Sequence, residues 1–319
     1  DSFLTLTQLL RKHYGQKAIL LIDEYDVPLD KAQQFGYYEE MVSLVRNMLG
    51  QALKSNESLQ FAVLTGCLRI AKESIFTGLN NFKVMSVTSI RYDEYFGFTE
   101  KEVAGLLNYY GLEDKYGQIK EWYDGYRFGK TDVYCPWDVI NCIDLFCSEP
   151  EASPRAFWIN SSGNHIIRRF LQMATPRTRR EVECLLAGKS VKKRVNQELT
   201  YRELYENIDN LWSVLFTTGY LTSKEAVGED VYSLVIPNLE IRTIFVEQVM
   251  EWFQEEARKD TPMLDEFCQA FAKGDGGNVE RLFTAYLKKT ISIRDTSVRK
   301  AKKENFYHGI LLGLLSHRG

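Results

Sequence analysis

The chain has 319 residues, of which 45% are hydrophobic, enough apolar mass for a sizeable core and for two domains with a further piece. Its formal net charge of -3 excludes a general attraction to nucleic acid or anionic membrane and leaves that role only to local basic clusters such as Arg177, Arg179 and Arg180. The six cysteines, with no C-x-x-C pair among them, point to reduced thiols rather than a zinc site or a disulfide framework.

In chain order, "FLTLTQLLRKHYG" places Phe3, Leu6, Leu9 and Leu10 at helical spacing and ends on Gly15, the residue type that most readily takes a left-handed helix end. "AILLI", residues 18–22, is a short apolar run, as expected of a strand covered on both faces. The next helix sets Met41, Leu44, Val45, Met48, Leu49 and Leu53 on one stripe, and "LQFAVLTG" supplies a second strand. Residues 18–65 thus read as one right-handed βαβ crossover, with a third strand expected at 82–87, "FKVMSV".

In a parallel sheet the ligand lies beyond the carboxyl ends of the strands, and Asp23 and Glu24 fall there. A nucleotide hydrolase needs two carboxylates at such a place. One, Asp23, would hold Mg2+ through its water shell, and the next, Glu24, would polarise the water that attacks the γ-phosphate of ATP. Thr65 ends the second strand and Arg69 follows it, where a hydroxyl and a cation can sense the same phosphate. The alternatives stay open: the acids serve as turn or cap residues, Thr65 and Gly66 make a turn, and Arg69 pairs with a surface acid. No G-x-x-x-x-G-K-[ST] loop occurs, and the nearest approach, "DGYRFGKTD", is one residue short and follows an aromatic helix end rather than a strand.

The middle of the chain reads as helical and aromatic. Thr99 and Glu102 form a capping box, and Pro136 stands in the first turn of another helix. Trp122, Tyr123, Tyr126, Phe128 and Trp137 are expected in the core rather than stacked on bases, and His165 begins a helix without a catalytic partner. "RTRR" reads as solvated surface and "KSVKKRV" as an exposed edge strand guarded by lysines. From Thr200, which with Glu203 makes a second capping box, the order is helix, helix, hairpin and a helix capped by Asn238. That order suggests a winged helix, but its second helix, at about 209–218, has no lysine or arginine for phosphate contacts. "KGDGGN", 273–278, punctuates two helices. No apolar run approaches the roughly 18 residues of a membrane span, and no signal peptide opens the chain. A cytoplasmic protein with no membrane contact is expected, and its start at Asp1 within a helical pattern suggests a piece of a longer one.

"LLIDEYDVPL", "VLTGCLRIAKESIFTGLNNF", "YFGFTEKEV", "WYDGYRFG", "YCPWDVI", "FWINSSGN", "TTGYLT" and "IPNLEIR" follow one another as in the bacterial AAA-ATPase-like family, which the chain resembles over nearly its whole length. The family looks related to archaeal and STAND-type P-loop ATPases. Its full-length members carry an R-R-F-G-K-S phosphate loop near their start and often a PD-(D/E)xK nuclease-like domain at their end. The resemblance implies that Asp23 and Glu24 are the Walker B pair, that Arg69 is sensor-like, and that the cofactors are ATP and Mg2+ in the parent protein. The expected architecture is α/β: a partial P-loop NTPase-type parallel sheet at 1–95, a helical lid or linker at 96–198, a winged-helix-like domain at 199–255, and a helical tail at 256–319. The tail, with "KKENFYHGILLGLL", would lead into a missing nuclease-like domain. Expected partners are a nucleotide and a protein or nucleic-acid effector. The alternative is an interaction scaffold that keeps the sheet without hydrolysis.

Overall fold

The computed structural model describes residues 2–67, 82–158, 165–199, 203–259, 261–289 and 311. Helices and short strands are mixed in two compact units, one of Asp1–Ser89 with Arg194–Thr218 and the other of Ile90–Lys193 with Gly219–Gly319.

The first unit opens with α1, Ser2–Tyr14, whose last turn holds Arg11, Lys12 and His13, where cations complement the helix dipole. Gly15 ends it at φ 68°. Next come β1, Ala18–Ile22; α2, Val27–Phe35; α3, Tyr38–Leu53; and β2, Leu59–Leu64. β1 and β2 pair in parallel, with Ile19 opposite Phe61, Leu21 opposite Val63 and Ile22 opposite Leu64.

Four expectations about this unit are corrected. The crossover carries two helices, because Pro28 starts α2 and Gly36, at φ 81°, stops it. α3 buries Val42, Val45, Leu49, Ala52 and Leu53 and leaves Leu44 exposed, since its apolar residues outnumber one face and periodicity alone cannot choose between stripes. β1 is covered on one side only: Ile19 and Leu21 are 54% and 72% exposed. Finally, 82–87 is not a strand. There the Ser86 hydroxyl bonds Thr88 Oγ1 at 3.0 Å and the Ser86 amide donates to Ser89 Oγ at 3.0 Å, a local side-chain turn that competes with sheet pairing.

In the second unit, Thr99 caps α4, Glu100–Tyr110, by the expected capping box: its amide donates to Glu102 Oε2 at 2.8 Å and its Oγ1 accepts from the Glu102 amide. α5, Tyr116–Tyr123, leads into the antiparallel pair β3, Tyr126–Phe128, and β4, Thr131–Val133. α6, Pro136–Ser148, starts at its proline. Val103, Leu107, Ile119, Tyr123, Val139 and Phe146 from α4, α5 and α6 share one core. α7, His165–Gln172, and α8, Pro176–Leu186, follow, the second capped by Thr175. β5 is Val191–Arg194.

The chain then contributes α9, Ile208–Thr217, to the first unit, where it buries Leu211, Trp212, Val214, Leu215 and Phe216. β6, Thr222–Gly228, and β7, Val231–Val235, form an antiparallel hairpin. The sheet order β5-β7-β6 puts the lysine-bearing β5 at an edge, as its alternation predicts. α10, Leu239–Lys259, is capped by Asn238, whose Oδ1 accepts from the Ile241 amide at 3.0 Å. α11, Thr261–Ala272, and α12, Gly276–Lys289, complete the order, so the punctuation between them shrinks to 273–275. Thr200 of the expected Thr200–Glu203 box and nearly all of the helix expected at 302–315 lie outside the described residues. Among the described residues no helix is long and apolar enough to cross a membrane.

Candidate functional site

β1 and β2 end side by side, so the residues just past them meet. The Ile22 carbonyl accepts from the Thr65 amide at 2.9 Å, and the Thr65 carbonyl accepts from the Tyr25 amide at 3.0 Å, which prolongs the parallel pairing past the strand ends. Asp23 and Thr65 are thereby brought together, and the Thr65 hydroxyl donates to Asp23 Oδ1. The same oxygen accepts from the Glu24 amide at 3.0 Å. Two donors on one carboxylate oxygen fix its direction. Asp23 and Glu24 are both exposed, so neither is spent on core packing.

Glu24 has φ 50°, a left-handed conformation uncommon for a residue with a Cβ. Such backbone persists where the surroundings over-determine it, and here the flanking sheet-edge bonds and the Val27 amide, which donates to the Glu24 carbonyl at 3.1 Å, do so. The turn lets the chain enter α2 while aspartate and glutamate remain at the rim.

Two further residues complete the corner. Gly66 lies so close to the turn that a Cβ there would sit 2.5 Å from Asp26 Oδ1 and 2.8 Å from Tyr25 Cε1, so any larger residue must push these side chains aside. Asp26 is buried beneath it. The Cys67 thiol is pushed up to about 11, first by desolvation and then by Asp26, Glu24, Asp23 and Asp30. The corner is therefore strongly acidic and suited to a cation. Its donors are hard oxygens, which fit magnesium. Among the described residues no three His, Cys, Asp or Glu side chains converge as a metal cage, so a magnesium ion here would complete its shell with water and phosphate oxygens.

Asp26 is not among the residues expected at the site, and Gly66 is expected there only as a turn residue. The glycine directly after "VLT" was the available signal, but only the fold shows what presses on it. Arg69 lies outside the described residues. The glycine-lysine decoy is accounted for: Gly129 and Lys130 turn the β3–β4 hairpin, and the Lys130 amide donates to Asp93 Oδ2 at 2.9 Å instead of facing a free anion site.

The alternation of β1 and β2 sets Ile19, Leu21, Phe61 and Val63 on the face that ends in Asp23 and Thr65, and all four are exposed. The acid and hydroxyl thus stand at the end of an open apolar face.

A family model described as a predicted AAA-ATPase matches residues 1–76. That stretch contains β1, β2 and the corner between them. A protein of Azotobacter chroococcum mcd 1 described as an uncharacterized protein in the vnfD 5'region is 26% identical over 282 residues, covering 85% of this chain. The chain spans about half, 50%, of that relative's length. No solved structure matches.

Proposed function

We propose that this chain supplies the magnesium- and water-handling edge of an ATP-hydrolysing regulatory switch. The observation that carries the reading is the union of Asp23 and Thr65 across neighbouring parallel strand ends, with Glu24 beside them in a left-handed turn. Asp23 would hold magnesium through water, its carboxylate oriented by the Thr65 hydroxyl and the Glu24 amide. Bound magnesium would neutralise charge on the β- and γ-phosphates of ATP. Glu24 would orient the attacking water and draw a proton from it, and Arg69 is assigned to the γ-phosphate side. The match of residues 1–76 to a predicted AAA-ATPase supports the same reading.

In this proposal a winged-helix-like part within 199–255 would couple nucleotide state to a protein or nucleic-acid effector. α9 carries no lysine or arginine, which favours a regulatory role over direct groove reading. The phosphate-binding loop and any nuclease-like domain would belong to a longer parent protein, and the protein would act in the cytoplasm.

The test is Glu24→Gln in the longest natural form of the protein. The amide keeps the shape and cannot take a proton, so ATP should still bind while turnover falls by about 10²–10⁴-fold. Unchanged turnover in a quantitative phosphate-release assay would remove Glu24 from the mechanism. The open apolar face favours a second reading, an interaction scaffold without hydrolysis. Wild-type protein that binds partners but shows no ATP turnover would select it.

A further inference from the structure

Four sequence blocks that the nucleotide reading leaves unused, those around Tyr126, Asp138, Trp158 and Glu240, converge inside the second unit. Asp138 lies in the first turn of α6 and Glu240 in the first turn of α10, and they are 1% and 0% exposed. Glu240 Oε1 accepts from the Trp158 amide at 2.9 Å, and the Cys135 thiol lies beside the Asp138 carboxylate. Asp138 Oδ1 and Glu240 Oε2 are left buried without a donor. Yet the two side chains lie within hydrogen-bonding reach of each other. Ionised carboxylates only accept, so a bond between them requires a proton.

Among the described residues, the titratable groups facing the pair are the Cys135 and Cys142 thiols and the Tyr123 and Tyr126 hydroxyls, none of them a cation. Burial pushes Cys135 up to about 12 and Cys142 up to about 11, and it raises both tyrosines as well. All four keep their protons at neutral pH and supply no counter-charge. Two buried negative charges in contact without one would cost several kcal/mol each.

We propose that Asp138 and Glu240 share one proton, forming a base-labile latch that ties the start of α6 to the start of α10. Each carboxyl stands in the first turn of its helix, so the N-termini favour neither over the other and the proton belongs to the pair. Burial, and then the Asp138 charge, push the Glu240 carboxyl from 4.5 up to about 8, and burial raises Asp138 too. In that window the folded chain keeps a proton that the unfolded chain has released. Folding therefore weakens as pH rises from about 4.5 to about 8 and levels off above. The latch does not depend on the nucleotide reading, because neither residue belongs to that corner.

The experiment is urea unfolding of the full chain from pH 5 to pH 9, wild type against Glu240→Gln. The glutamine keeps the acceptor for Trp158 and offers Asp138 a permanent N–H donor. One extra bound proton lowers the folding constant about tenfold per pH unit, so between pH 5.5 and 7.5 the wild type should lose about a hundredfold relative to the variant. Infrared spectroscopy of the wild type at pH 7 should also show a protonated carboxyl band that disappears above pH 9 and is missing from Glu240→Gln. Parallel stability curves would overturn the latch. So would absence of the band from the wild type at pH 7, a result readable even if the variant fails to fold.

Discussion

Glu24 and Gly66 show how single residues shape the corner. Glutamate accepts a left-handed conformation at some cost, and the sheet-edge bonds on either side hold it there. Gly66 answers from the other strand by leaving room for Tyr25 and Asp26. Gly66→Ala should cost about 1–3 kcal/mol in urea unfolding, since the added methyl must displace a buried carboxyl and a ring. A variant as stable as the parent would mean that Asp26 and Tyr25 give way freely. The acids themselves were legible as residues after an apolar run. The left-handed turn was not, because glutamate carries no local mark of it.

At the scale of elements, boundaries written in side-chain hydrogen bonds were the readable ones. The Thr99–Glu102 box, the proline at the start of α6 and Asn238 before α10 each satisfy or avoid orphan amides with residues a few positions apart, so tertiary context is not needed to see them. Thr99→Ala should cost about 1 kcal/mol of stability, read as a lower denaturation midpoint at unchanged slope. An unchanged midpoint would show α4 to be held by its core contacts through Val103 and Leu107 alone. Elements decided by competition were harder to read. Residues 82–87 have the composition of a strand, yet Ser86, Thr88 and Ser89 fold back on one another. α3 offers more apolar residues than one face can use, and its neighbours choose Val42 and Ala52 over Leu44.

Across the whole molecule, apolar burial is uneven. α4, α5 and α6 close around a continuous core in the second unit, whereas the β1–β2 pair in the first leaves one face open. Phe146→Ala should therefore cost about 3–5 kcal/mol. Leu21→Ser, at a position 72% exposed, should cost under about 0.5 kcal/mol in this chain, as surface changes usually do. Equal losses in the two variants would show that Leu21 is covered in solution. Open apolar area of this kind marks an interaction surface or a seat for further layers of the same sheet.

The sequence by itself determined the two strands and the helices α1 and α3 of the first 65 residues, the capped helix starts and the pair of acids after an apolar run. Those features follow from periods of two and 3.6 residues and from bonds between near neighbours. Only the tertiary structure decided that Thr65 reaches Asp23, that Gly66 makes room for Asp26, that β1 is bare on one side, and that Asp138 meets Glu240 from about a hundred residues away. Each depends on which surfaces the packed elements bring into contact. Burial then changes the chemistry as well as the position, since a carboxyl sealed from water must keep a proton or find a donor.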